Sequence, residues 1–490
     1  MAARGLVYLL ALSLAACAVG PNFKHPPAPQ ASGYGTASST SDTAAAPGTA
    51  GAAQHFNVDQ DIPSDWWTLF QSPAIDHLVQ QALAGNPDLA AAQAALRQAH
   101  ELYIAQRASW LPVVQGNFDA TRAKNPLATI ANPTSLPQTN PYYSLYTAQL
   151  SLSYMPDVFG AARRTLEAAR AQAEVSRFQL EATYVTLSTN VVVAAIQEAA
   201  LRGQITAIER LIEVQGHATD IVRGQRQLGT ASELDLLSQQ AAEAQTVAML
   251  PPLQKQLGQS RDALSALLGR LPSAEPPETF RLQDLALPQQ LPMSVPSKLV
   301  EQRPDVRQAE ENMHVASAQA GIALADMLPQ FSITADTGSS ALQLDKLFSP
   351  YTGFWNVGAS LTQTLFDAGA LLHRHRAADA ALDEAGAQYR AAVILACQNV
   401  ADTLRALQAD ADALAASAAA EQAAGRSFEL AGQQLQLGTI SVLGLLTAEQ
   451  SYQQSELALV QVQANRLADT AGLFQALGGG WWNRAAGALQ

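Results

Sequence analysis

Apolar side chains recur at three- and four-residue spacings over two stretches of unusual length, Ala161 to Arg226 and Gly369 to Leu435. The second has no proline and is rich in alanine, as in Ala377-Ala378-Asp379-Ala380-Ala381 and Ala415-Ala416-Ser417-Ala418-Ala419-Ala420. This period is that of a helix, and alanine both favours helix and lets neighbouring backbones approach closely. At 1.5 Å per residue each helix would be roughly 100 Å long, more than a compact domain needs. Each is followed by a turn, Gln227-Leu228-Gly229-Thr230 or Gln436-Leu437-Gly438-Thr439, and by a returning helical pattern from Glu233 to Leu268 or Ser441 to Leu477. Gly229 and Gly438 are placed to supply the left-handed cap that such a turn requires. The first returning helix is expected to break at Pro251-Pro252, where the second has Val460-Gln461.

Ahead of each long helix the period changes to two. Val114, Gly116, Phe118 and Ala120 alternate with Gln115, Asn117, Asp119 and Thr121, and Tyr146, Ala148, Leu150, Leu152 and Tyr154 with Thr147, Gln149, Ser151 and Ser153. The later pair is Phe331, Ile333 and Ala335 against Ser332, Thr334 and Asp336, then Trp355, Val357, Ala359 and Leu361 against Asn356, Gly358, Ser360 and Thr362. Such strands fit a soluble sandwich as well as a tilted crossing of an outer membrane, with one face to lipid and one to a watery lumen. Four strands do not close a barrel, and lipid does not tolerate open edges, so a membrane reading requires two or more copies; three would give about twelve strands. Periodicity does not choose between these numbers.

The elements occur twice, at an offset of about 209 to 217 residues, far longer than a solenoid period. Asn86-Pro87-Asp88 is matched by Arg303-Pro304-Asp305, Leu111-Pro112 by Leu328-Pro329, Leu228-Gly229-Thr230 by Leu437-Gly438-Thr439, and Leu268-Gly269 by Leu477-Gly478. The fold class this predicts is an α+β membrane protein, a duplicated unit with four β-strands per chain and long α-helical coiled-coil hairpins. The first repeat takes residues 64–270 and the second 301–480, with a proline-rich irregular connection at 271–300 and a tail at 481–490. Gly478-Gly479-Gly480 reads as a flexible exit.

At the N-terminus, Arg4 precedes an apolar stretch and then Leu14-Ala15-Ala16-Cys17. Residues 1–16 read as a signal peptide, and the small residues before Cys17 resemble a bacterial lipobox, in which the cysteine becomes a lipidated N-terminus. That pattern, with so few strands in so long a chain, favours the membrane reading over a sandwich. Residues 17–63 are expected to form the lipidated linker, extended or disordered, because 26–63 are rich in Pro, Ala, Ser, Thr and Gly and poor in large apolar side chains.

The net charge of −13 disfavours a nucleic-acid partner. Two cysteines make no disulfide framework, and Cys397 reads as a small packed residue. No constellation argues for catalysis or a metal: His373 and His375 in His373-Arg374-His375-Arg376 do not share a helix face. The tryptophan pairs Trp66-Trp67 and Trp481-Trp482 read as packing anchors.

Taken together, Cys17-Ala18-Val19-Gly20-Pro21-Asn22-Phe23, Trp66-Trp67-Thr68-Leu69-Phe70, Asn86-Pro87-Asp88-Leu89, Arg303-Pro304-Asp305-Val306, the two Leu-Gly-Thr turns and Ala476-Leu477-Gly478-Gly479-Gly480-Trp481 resemble the TolC-type outer-membrane factors of the nodulation-protein-T lipoprotein branch. The resemblance covers nearly everything after residue 14. It implies a homotrimer with a twelve-stranded barrel in outer-membrane lipid and a helical barrel in the periplasm, closed at the helix tips. It further implies a periplasmic adaptor protein and an inner-membrane pump, typically of the resistance-nodulation-division type, as partners, no cofactor beyond covalent lipid on Cys17, and a bacterial outer-membrane location.

Tip and gate residues are then Gly229, Thr230, Glu233, Asp235, Gly438, Thr439, Ile440 and Ser441. Family members often carry an aspartate just after the second tip glycine. Here Ile440 stands in that place, which points to a hydrophobic constriction, while Glu233 and Asp235 either lend acidic charge or are solvated helix-start carboxylates. The function expected is passive conduction of small molecules from a tripartite efflux pump. The alternatives are an exit duct for ATP-driven protein secretion and a non-conducting periplasmic scaffold, for which a polar strand face has no use.

Overall fold

The computed structural model describes residues 19–31, 33–34, 42–58, 60–124 and 142–484. Among these the order is β1 (His55–Asn57), α1 (Pro73–Gly85), α2 (Pro87–Arg107), β2 (Val113–Lys124), β3 (Tyr142–Tyr154), α3 (Ala161–Gln227), α4 (Glu233–Leu267), β4 (Gln290–Pro292), α5 (Pro296–Gln302), α6 (Pro304–Ala325), β5 (Gln330–Ala341), β6 (Gly353–Thr362), α7 (Ala370–Gln436) and α8 (Val442–Ala476). The duplication holds to the residue in the lengths of the hairpin helices. Both α3 and α7 have 67 residues, and both α4 and α8 have 35.

The chain divides into two compact units, with the boundary falling inside α2, α3, α6 and α7. The first unit holds residues up to His25, 97–174 and 310–388. Its sheet is antiparallel in the order β2-β3-β5-β6, so β2 and β6 are edges. After each hairpin an aspartate starts the next long helix. Asp157 accepts from the amides of Ala162 and Arg163 at 3.0 and 2.9 Å, and Asp367 from those of Gly369 and Leu371 at 2.9 and 2.7 Å. These side chains satisfy amides that a helix start leaves unpaired.

Also in this unit, the segment from Val19 to His25 is fixed by Arg164, which donates to the carbonyls of Val19 and Gly20 and, at 2.7 Å, to Asn22 Oδ1. Phe23 stacks on His314 with ring centroids 4.2 Å apart.

The second unit holds residues 26–96, 175–309 and 389 onward. Its core joins Leu180, Val191, Val192 and Ile196 of α3 to Val400, Leu404 and Leu407 of α7 and to Leu467 and Phe474 of α8. By composition α3 is apolar enough to cross a membrane, but 56% of its most apolar window is buried in the fold. The tryptophans anchor as expected: Trp66 stacks on Phe474 at 5.1 Å, and Trp481 donates to the Gln302 carbonyl at 2.7 Å.

Three expectations are corrected here. The linker is not disordered from 42 to 58. Arg466, wholly buried, donates to the carbonyls of Ala50 and Ala52 and to Thr43 Oγ1, each at 2.9 Å, and β1 pairs with β4 in parallel. Backbone hydrogen bonds supply the order that apolar side chains do not.

Nor does α4 break at Pro251-Pro252, since the helix continues through both. The carbonyls these prolines leave unmatched belong to Val247 and Ala248, on an exposed side where water can meet them.

The triple glycine is a tight turn and not a flexible exit. Gly478, Gly479 and Gly480 have φ of +98°, +68° and +70°, and a Cβ on Gly478 would lie 2.5 Å from the Gln302 carbonyl oxygen.

Candidate functional site

Two features carry the chemistry of this chain, the faces of the four-stranded sheet and the tips of the helical hairpins. The sheet register pairs like with like. Val114 lies opposite Leu152, Gly116 opposite Leu150, Phe118 opposite Ala148 and Ala120 opposite Tyr146; farther across, Leu152 meets Ala335, which meets Val357. These apolar residues therefore share one face, and along the edge strands no described residue covers it: Phe118 is 60% exposed and Trp355 77%.

β3 is largely half-buried and β5 partly so, whereas the edge strands β2 and β6 are exposed along nearly their whole length. At the far end of this face Arg122 and Lys124 continue the same alternation, and the Lys124 ammonium lies 5.4 Å from the Tyr142 ring centroid. Long cationic stems beside an aromatic suit the polar boundary of an apolar layer.

The opposite face is largely polar, with Val113, Leu145 and Phe354 among its few apolar members, and is partly knitted. Thr147 and Ser340 hydroxyls meet at 3.1 Å, Ser332 and Ser360 at 2.8 Å, and Gln149 donates to Ser151 Oγ at 3.2 Å. Asp119 and Asp336 give it negative charge. Such a face can border water and polar solutes while the other borders hydrocarbon.

At the hairpin tips the two halves repeat each other bond for bond. The Thr230 amide donates to the Gln225 carbonyl at 2.9 Å and that of Gly229 to Arg226 at 3.0 Å; Thr439 and Gly438 do the same to Gln434 and Leu435 at 2.9 and 3.0 Å. This is a left-handed helix ending, with φ of +75° at Gly229 and +71° at Gly438. Each threonine hydroxyl adds a second bond to the same glutamine carbonyl, at 3.0 and 3.1 Å.

Beyond the turn the tips differ. Ser232 and Asp235 form a reciprocal capping box, the Asp235 amide donating to Ser232 Oγ at 3.1 Å and the Ser232 amide to Asp235 Oδ2 at 2.9 Å. The Ser232 hydroxyl and amide hold the Asp235 carboxyl below its ordinary value. Glu233 pairs with Arg226. Both acids are thus engaged locally at the helix start.

In the second tip Val442 stands where Glu233 does and Gly444 where Asp235 does, so this tip carries no charge. Ser441 still caps, accepting from the Gly444 amide at 3.3 Å. Ile440 is half-buried and folds over Gly444, where a Cβ would come within 2.6 Å of it. Sequence reasoning singled out Ile440 and missed Gly444, for which the absent side chain was the signal. The two tips share an apolar cluster of Ala218, Val222, Leu236, Leu435, Val442 and Leu445. Cys17 lies outside the described residues.

Comparison with known proteins agrees with this arrangement. The sequence model of the outer membrane efflux protein family matches residues 78–270 and 295–479. The pyoverdine export outer membrane protein OpmQ of Pseudomonas putida is 29% identical over 425 residues, covering 86% of this chain and 89% of that protein. The toluene efflux pump outer membrane protein TtgF of the same species is 27% identical over 476 residues, covering 97% and 96%. Among solved structures, the outer-membrane channel OprN superposes with a TM-score of 0.84 at 28% identity, over 95% of this chain and all of that one. The outer membrane protein VceC of Vibrio cholerae gives 0.78 at 25% identity, over 86% of this chain and 100% of that one.

Proposed function

The chain belongs to the outer membrane efflux protein family, a transport component of the outer membrane and not an enzyme, and from that premise we propose that three copies of it form the exit duct of a tripartite efflux pump. The observation that carries the reading is the sheet. It has one apolar and one largely polar face, and two edges, β2 and β6, that no described strand pairs. Lipid requires those edges to be paired, and three copies supply twelve strands, enough for a water-filled tube.

In this reading the apolar face meets lipid and the polar face lines the passage. The helical hairpins extend into the periplasm and meet an adaptor protein at their tips, and an inner-membrane pump drives transport. Cys17 carries a covalent lipid that holds the N-terminus at the bilayer. Small molecules are the cargo, a class supported by the pyoverdine and toluene in the names of relatives that match most of the chain.

Two measurements test this. The purified protein should run as a trimer and give ion-conducting pores in planar lipid bilayers; a monomer without conductance would end the duct reading. A photo-crosslinker at Leu443, 72% exposed beside the second tip, should capture in cells an adaptor encoded with a proton-driven pump. An adaptor of an ATP-driven secretion system would instead assign the duct to protein export. For the lipid, Cys17→Ser should abolish incorporation of labelled acyl chains.

A further inference from the structure

Within a single chain, just behind the tip cluster, stands a carboxylate that no water reaches. Glu449 on α8 is 1% exposed, and both its oxygens are buried without a hydrogen-bond partner. The side-chain amide of Gln215 on α3 faces it outside hydrogen-bonding geometry, and Gln215 Oε1 is itself buried and unpartnered. One helical turn toward the tip begins the apolar cluster, with Leu445 on α8 and Ala218 on α3. One turn the other way, Tyr452 of α8 stacks on Phe428 of α7 at 5.8 Å. The corresponding residue of the first returning helix is Gln240, which is exposed. The acid therefore belongs to the second hairpin alone and serves no role common to both halves.

An ionised carboxylate in such a place has only the Gln215 amide to meet its charge, so the packed arrangement favours the neutral acid. Burial pushes its pKa up from 4.5 to about 7, with the Gln215 amide opposing. Charged groups on the surrounding elements include Arg210 of α3, Glu243 of α4, Glu421 of α7 and Glu456 of α8 itself. Glu243 is held by the Thr219 hydroxyl at 2.7 Å, and Arg210 and Glu421 act on Glu456. None of the four is among the causes of the rise at Glu449.

We propose that Glu449 is a proton-sensitive latch, keeping α8 packed on α3 at the tip while neutral and favouring their separation once ionised. The proposal rests on the duct reading for its meaning, since separation at this level loosens the closed end of the passage. The packed state binds a proton that the separated state releases. It is therefore favoured in acid and loses ground as pH rises from 4.5 to about 7.

Amide hydrogen exchange on the full-length protein in lipid decides the matter, followed over residues 212–222 and 442–455 and corrected for intrinsic rates. Protection there should fall by about tenfold or more between roughly pH 5 and pH 7.5, while Glu449→Gln keeps its acid-level protection at both. Equal protection of the unaltered protein at both pH values, or an undiminished fall in E449Q, would overturn the latch. The loss of the protonated-carboxyl infrared band in E449Q, followed against pH in the unaltered protein, checks the titration independently. Exchange needs no transport, so it decides the latch by itself, whereas the duct reading fails on absent conductance.

Discussion

Asn86 and Arg303 stand at corresponding places in the two halves and clamp the same kind of atom. Asn86 Nδ2 donates to the Leu267 carbonyl at 2.9 Å and Arg303 Nη1 to the Ala476 carbonyl at 3.0 Å, in each case the last residue of a returning helix. Helix ends leave such carbonyls without an amide, and here a distant side chain closes each. Asn86 also caps α2, its Oδ1 accepting from Asp88 and Leu89, while Arg303 is held by a two-point contact with Asp305 at 2.8 and 2.6 Å.

Arg303→Ala should therefore cost about 2 kcal/mol at this joint, read as faster amide exchange over 473–479. Arg303→Lys should recover little of it, because an ammonium cannot hold the Asp305 fork and reach the carbonyl together. Full recovery by lysine would show that charge alone matters.

Glycines at the two ends of α4 should respond differently to alanine. Gly229, with φ of +75°, has open space where a Cβ would go, so Gly229→Ala should cost only backbone strain, about 1 kcal/mol. Gly269 combines φ of +72° with a Cβ position 2.2 Å from the Gly85 carbonyl oxygen. Gly269→Ala should lower the midpoint of thermal unfolding followed by circular dichroism, with Gly229→Ala close to the unaltered protein.

Arg466→Ala should free the strap it holds. With the guanidinium gone, the carbonyls of Ala50 and Ala52 lose a buried charged donor. Limited proteolysis should then cut within 42–58 in the variant and not in the unaltered protein, and resistance of the variant would show that β1 pairing suffices.

His314 gives the N-terminal segment a pH dependence. The Glu311 carboxylate, at 3.2 Å, and Glu167, at 3.0 Å, raise its pKa above the ordinary 6.5, against partial burial. A raised histidine stabilises most below 6.5, and the contribution is lost as pH climbs through the folded value. Protease sensitivity around Phe23, which stacks on His314, should rise with pH across that window, and His314→Gln should flatten the profile.

Much of this was legible in the sequence because the period of apolar positions reports directly on which face of a helix or strand is covered. The bounds of α3 and α7 fall within a residue of the expected ones, and the Leu-Gly-Thr turns, bracketed by helical periods, located both tips. What escaped were contacts between residues far apart in the chain. Low-complexity composition at 42–58 concealed its order, because the partner, Arg466, is some four hundred residues away. Glu449, in a polar run beside Gln450, gives no sign by itself that it is buried.

The sequence by itself determined the duplication, the helix lengths, the alternation of the strands and the glycine-capped turns, all of which follow from local sterics and periodicity. Only the tertiary structure decided that Arg466 holds the carbonyls of Ala50 and Ala52, that Asn86 and Arg303 close the ends of the returning helices and that Glu449 faces Gln215. Those outcomes depend on which surfaces meet, and a buried polar atom is defined by neighbours that no local pattern names.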